Sequence, residues 1–140
     1  MIDIHELAIG DWVTAKMAKW DYDSPETTHP MQIVVIDNSD TPRHFVDLAF
    51  DDGIAVHSAF VEDLIPIPIT AEILAANGFN PHELSQKIYE HPIPNGCVQY
   101  FFVNRKLCMR NHNAVDIEVA NVHELQHILR LAGVNIEIKL

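Results

Sequence analysis

His123-Glu124-Leu125-Gln126-His127 spells H-E-x-x-H. On a helix, two histidines four positions apart share a face and can hold one zinc ion through their imidazoles. The glutamate between them then serves as general base toward a zinc-bound water. That chemistry would be hydrolysis by a zinc metallopeptidase-like enzyme, which needs a third protein ligand. A metzincin extension would place Gly at 130 and His at 133, whereas the chain has Arg130 and Gly133. After His127 the sole acid is Glu137, and the upstream His112 and Asp116 match no such pattern. His-Glu-Leu also occurs at His5-Glu6-Leu7 and His82-Glu83-Leu84, in a chain with nine histidines, which weakens the specificity of the third copy. The competing expectation is structural. Asn121-Val122-His123-Glu124 reads as a capping box, with Glu124 closing the helix start and His123 and His127 on its polar or boundary face. The residues therefore predict a non-enzymatic chain without a cofactor. The alternative is zinc on His123 and His127 with Glu124 catalytic.

Other catalytic signatures are missing from the sequence. All five glycines (Gly10, Gly53, Gly78, Gly96, Gly133) stand at expected turns or caps, which leaves no glycine-rich phosphate loop. None of the four serines lies in G-x-S-x-G. Cys97 and Cys108 are too few for a disulfide framework and suit a reducing compartment. A hairpin of Tyr100–Val103 with Lys106–Arg110, turning at Asn104-Arg105, puts Cys108 opposite Phe101 and Cys97 well beyond it, so no bridge is expected.

Binding chemistry is better represented. Ala18-Lys19-Trp20-Asp21-Tyr22-Asp23-Ser24-Pro25-Glu26 mixes two aromatics with three acids. Trp20, Asp21, Tyr22, Asp23 and Glu26 can grip a basic or proline-containing peptide by cation–π contact and charge pairing. The alternative is that Trp20 and Tyr22 fold back as a lid over a core. A methyl-lysine cage of Trp20, Tyr22 and Phe45 is a narrower version. The charge distribution points the same way. The net formal charge is −11, and residues 1–69 carry three bases against thirteen acids, a balance of −10. Residues 70–140 carry six against seven, a balance of −1. An acidic half repels phosphate backbones, so direct nucleic-acid binding is not expected, while a basic protein partner is attracted. The same charge also serves solubility, or imitates DNA as a decoy that occupies a host defence protein.

The elements that must position these groups follow from length and pattern. With 140 residues, 48 % of them apolar, and a mean hydropathy of +0.02, the chain supplies a core for one domain or two small ones. No apolar run approaches the roughly 18 residues of a membrane span, and the start lacks the basic residues of a signal peptide, so a cytoplasmic, non-membrane location is expected. Residues 1–69 read as short strands between polar turns: Leu7–Val13 as a turn leading into a strand, then Met31–Ile36, His44–Phe50 and Ile54–Phe60, with Asp51-Asp52-Gly53 as a hairpin signal and Val61–Ile69 as a short turn and an extended segment. Residues 70–140 change period. Thr70–Gly78 reads as a capped helix, and Asn80-Pro81-His82-Glu83 as the start of a second one running to Tyr89 or Glu90. Val98–Val103 and Lys106–Arg110 follow as a hairpin and Ala114–Val119 as a strand. Val122, Leu125, Ile128, Leu129 and Ala132 make the stripe of an amphipathic helix. Asn135–Leu140 alternates as a last strand, whose free edge allows a homodimer.

The motif Leu-x-Ile-Gly-Asp-Trp-Val at 7–13, the Asp52-Gly53 turn and Val61-Glu62-Asp63-Leu64-Ile65-Pro66-Ile67 resemble small SH3-like barrels of the KOW and Tudor type. The resemblance implies a barrel over residues 1–69 and is nearly silent on function. Ile9–Val13, Pro66–Leu74, Asn77-Gly78-Phe79 and Val122–His127 also resemble a group of small uncharacterised proteins from phages and mobile elements of gut bacteria, which implies an origin rather than a reaction. The expected architecture is thus α+β: an acidic SH3-like barrel (1–69), then a helix–hairpin–helix–strand subdomain (70–140) packed on it. The expected role is an interaction module.

Overall fold

Short runs of β-branched and aromatic residues bounded by Gly, Pro, Asn and Asp become strands when each finds a neighbour to match its backbone hydrogen bonds. The computed structural model describes residues 1–16, 29–37, 43–49, 56–110 and 114–140. Within these, strands dominate, in two antiparallel five-stranded sheets. The chain divides into two compact units, Met1–Ile67 and Pro68–Leu140. No helix among the described residues is long and apolar enough to cross a membrane.

The first unit contains β1 (Trp12–Ala15), β2 (Met31–Ile36), β3 (Phe45–Ala49), β4 (Val56–Phe60) and β5 (Leu64–Pro66), in the spatial order β4-β3-β2-β1-β5. A 3-10 turn, Val61–Asp63, redirects the chain from β4 to β5. The inner face gathers Val13, Met31, Ile33, Val46, Leu48, Ala59 and Leu64, and Ile2 and Leu7 close it from the N-terminal stretch. β2 departs from strict alternation. A bulge between Ile33 and Val35 lets both Ile33 and Ile36 face inward and leaves Val34 and Val35 outside. The Ile-Gly-Asp segment has a specific task. Gly10 takes φ +92°, and the fully buried Asp11 accepts the Ala8 N–H through Oδ2 at 2.7 Å. Its backbone carbonyl accepts the Ile33 N–H at 3.0 Å, while Gly10 N–H donates to Ile33 O at 2.7 Å. One short turn thereby fastens the chain before β1 to β2.

The second unit begins with α1 (Ala71–Ala76), capped as the sequence predicts: Thr70 Oγ1 accepts the Ile73 N–H, and Gly78 takes φ +84° just beyond the helix. Then come β6 (Asn80–His82), β7 (Ser85–Ile93), β8 (Gly96–Phe101), β9 (Lys106–Arg110), β10 (Ala114–Glu118) and α2 (Val122–Leu131). The five strands form a meander, β10-β9-β8-β7-β6.

This overturns the α+β expectation of a helix–hairpin–helix–strand region. No second helix forms over 80–90. Asn80-Pro81-His82 is an edge strand and Ser85–Ile93 is the longest strand among the described residues, paired to β8 from Ile88↔Phe101 to Ile93↔Gly96. The capping-box pattern at Asn80 is a local preference worth about 1 kcal/mol. The ladder of Ile88–Ile93 to β8, with Asn80–His82 folded back along β7, pairs backbone along most of the segment and prevails. Both prolines fit the sheet: Pro81 is on the edge strand, and Pro92 lies past the end of β6, where β7 is paired on one side only. A sequence signal for this hairpin existed in Ile93-Pro94-Asn95-Gly96. Proline fits the second position of a tight turn, and Asn95, at φ +66°, fits the third. The β8–β9 hairpin is also two residues out of the expected register. Phe101 opposes Lys106, Gln99 opposes Cys108 and Cys97 opposes Arg110, because Phe102-Val103-Asn104-Arg105 form the loop, with Arg105 at φ +54°.

Nor is Asn135–Leu140 a strand, so it offers no sheet edge for the homodimer inferred from it. It is held instead by one side chain. Asn77 Nδ2 donates to Lys139 O at 2.8 Å and Asn77 Oδ1 accepts the Lys139 N–H at 2.7 Å, as a neighbouring backbone would. The same Nδ2 also donates to Ile73 O, and Ile138 is buried beside this clasp in sequence. Asn77→Ala removes three hydrogen bonds, each worth about 1 kcal/mol net. The expected result is a lower urea midpoint and loss of amide exchange protection at Lys139, with protection in β8 retained.

Candidate functional site

The H-E-x-x-H segment lies in the first two turns of α2. Its apolar stripe is Val122, Leu125 and Leu129, joined by Gln126, and His123 is buried on the same side, only 2 % exposed. The expectation of two histidines on a polar or boundary face therefore holds only for His127, which is half-buried. The two rings stand edge to face with centroids 6.3 Å apart. Glu124 is occupied. Its Oε2 accepts the Ala120 N–H at 2.8 Å and the Asn121 N–H at 3.1 Å, and its Oε1 accepts from Asn121 Nδ2 at 3.3 Å. Burial pushes its pKa up, but these three hydrogen bonds and the neighbouring His123 outweigh that and hold the carboxyl below the usual glutamate range. A carboxylate engaged in this way caps a helix. A general base for a metal-bound water needs its lone pairs free for the incoming proton. Among the described residues no group of three His, Cys, Asp or Glu is arranged to hold a metal ion.

Cys97 and Cys108 are free thiols, both half-buried. They stand on one face of the second sheet, where a polar row crosses four strands: Glu90, Gln99, Cys108 and Asp116, each opposite the next. Gln99 Nε2 donates to Glu90 Oε2 at 3.1 Å. Burial, then the hydrogen bond and negative charge of Asp116, push the Cys108 thiol up to about 11, against smaller opposing effects of Arg110 and Lys106. A thiol held protonated at neutral pH is a poor nucleophile. An open pocket of about 240 Å³ lies over Cys108, between Lys106, Arg110, Asn104, Phe101 and Asp116. Glu118 stands opposite Lys106 in the ladder, and Arg110 stands opposite Ala114 and Cys97.

Trp20, Asp21, Tyr22, Asp23 and Glu26 lie outside the described residues, as does the Asp51-Asp52-Gly53 turn. What is described of the acidic unit is its sheet. Phe45, named above as a cage residue, is half-buried and paired with Phe60. The outer face carries Val35, Val56 and Phe60, all exposed, with Asp47 and Ser58 between them. Ser58 Oγ donates to Asp47 Oδ1 at 2.5 Å. The Arg43 guanidinium stacks 3.7 Å from the Phe60 ring centre and pairs with Glu62. No family model, curated protein or solved structure matches the chain.

This surface carries no motif of its own in the sequence. The available signal was Val56-His57-Ser58-Ala59-Phe60, a strand with apolar residues on the side that should be polar if that side met only water.

Two predictions follow from the titrating groups. The folded-state pKa of Glu124 is depressed, so its cap contributes fully above the ordinary carboxylate pKa, and that contribution disappears as the pH falls through the folded value. Urea midpoints of the protein and of Glu124→Gln, taken between roughly pH 3 and 7, should differ at neutral pH and converge toward the acid end. Asp116→Asn removes the negative charge that helps to raise the Cys108 pKa and leaves only an amide oxygen as acceptor for the thiol. Alkylation of Cys108 by iodoacetamide, followed by mass spectrometry at mildly alkaline pH, should quicken several-fold.

Proposed function

We propose that this chain is a non-catalytic docking module whose acidic unit, residues 1–67, engages a basic partner protein. The observation that carries the reading is the charge distribution: within 1–67 there are three bases against thirteen acids, while the remainder of the chain is close to neutral. A field of one sign confined to one half steers an oppositely charged partner and orients it on encounter. Aromatic anchors then supply short-range affinity, with Trp20 and Tyr22 the candidates among the acidic loop residues and Phe60 on the described sheet. The hydrolytic alternative asks Glu124 to act as a base, and its carboxylate is already engaged by three donors.

A fluorescein-labelled oligolysine peptide, followed by anisotropy, tests the reading. Binding should weaken by about tenfold between about 0.05 and 0.5 M salt, because screening shortens the reach of the acidic field. The double variant Trp20→Ala with Asp21→Lys should weaken it further at low salt. An affinity indifferent to salt and to these substitutions rules the docking reading out.

A further inference from the structure

Among the described residues, each of the two sheets ends in two strands whose outward backbone groups lack a strand partner, and such edges invite pairing with another chain unless something blunts them. Three of the four edges are blunted. β5 has three residues and ends in Pro66. β6 has three residues, contains Pro81 and breaks register after it. β10 carries the acids Asp116 and Glu118. β4 is different. Its five residues, Val56-His57-Ser58-Ala59-Phe60, include no Lys, Arg, Asp, Glu or Pro, and four of the five are exposed, Val56 at 53 % and Phe60 at 39 %. Among the described residues, β4 pairs with β3 alone.

The ladder shows which groups face out. Val61 N–H donates to His44 O, which makes Val61 and His44 a hydrogen-bonded pair of this antiparallel ladder. Such pairs alternate, so Ala59 with Val46 and His57 with Leu48 also turn their backbone groups inward, to β3. The N–H and C=O of Val56, Ser58 and Phe60 therefore point away from the sheet. Their side chains stand on its exposed outer face, next to Phe45, Asp47 and Ala49.

We infer that β4 is a strand-addition site: an extended segment of a basic protein pairs antiparallel or parallel with the outward backbone of Val56, Ser58 and Phe60, its aliphatic side chains lying beside Val56 and Phe60. This inference rests on the docking reading above and names where the partner sits. Charge decides the occupant. A second copy of the chain joined edge to edge through β4 would bring two units of −10 together, which is electrostatically unfavourable, whereas a cationic strand is drawn in by the same field. Main-chain hydrogen bonds supply the affinity in this mode, and alternate side chains supply the selectivity.

The probe is a short fluorescein-labelled peptide of alternating valine and lysine, with a counterpart of the same charge N-methylated at every residue, so that it cannot form a ladder. The unmodified peptide should bind in a salt-dependent manner and the methylated one at least about tenfold more weakly. On the protein, Ser58→Pro removes one outward N–H and leaves the backbone bonds to β3 in place, at a position where an edge strand accepts proline, and should cost a similar factor. The Ser58 hydroxyl bond to Asp47 is lost as well, and Ser58→Ala, which loses that bond alone, should bind as the unaltered protein does. Should that variant fail to fold, as read by circular dichroism, the methylated peptide still decides the matter on the unaltered protein. Equal binding of both peptides overturns strand addition and leaves acidic docking standing. Failure of the unmodified peptide to bind at any salt concentration overturns both. A dimer in analytical ultracentrifugation that Ser58→Pro dissociates makes the occupant a second copy and overturns the basic partner.

Discussion

Backbone hydrogen-bond satisfaction governs this protein more than any single side chain does. A β-strand cannot match its own N–H and C=O groups. Each one needs a neighbour, and in the two five-stranded sheets every strand but the outermost has two. Where a strand partner is lacking, side chains take its place. Asn77 presents an amide to Lys139 as a strand would, Glu124 closes the donors at the start of α2, and Asp11 secures the turn before β1. These polar groups stand at chain positions where regular pairing ends.

The same constraint separates structural from chemical roles. Glu124 has the residue type and spacing of a catalytic base, but three donors already use its lone pairs, and His123 is turned to the buried side of the helix. Cys108 has the type of a nucleophile, but burial and Asp116 keep its proton in place. Both groups look reactive in a list of residues and are quiet in their surroundings. Among the described residues, exposed valines and a phenylalanine accompany backbone groups that face away from the sheet at the β4 edge of the acidic unit.

Individual elements were legible where the fold class was not. Met31–Ile36 is a strand with the bounds read from the sequence, the Thr70 and Asn121 caps start the two α-helices, and the Gly78 and Gly133 positions adopt positive φ as helix-ending glycines do. Over 80–93 the sequence carries two messages: a capping-box pattern at its start and a proline-asparagine turn at its end. Only the turn agrees with what β8 offers. The β2 bulge and the two-residue shift of the β8–β9 hairpin were equally illegible, since periodicity fixes which residues alternate and leaves open which residue of one strand meets which of the next. The candidate docking surface was half legible. The acidity of the first half is plain from composition, but which strand is left at an edge is a matter of sheet order.

By itself, then, the sequence determined the local quantities: charge and its distribution, helix caps, turn-forming dipeptides and the residues suited to strands. The tertiary structure alone decided that residues 80–82 and 85–93 form strands, that the Glu124 carboxylate is engaged by a helix start, and that, among the described residues, β4 is an edge strand without a charge or a proline. The physical reason is that caps and turns depend on residues within a few positions of one another. Strand order, register and burial depend on partners far apart in the chain, whose pairing energy exceeds the local preferences it overrides.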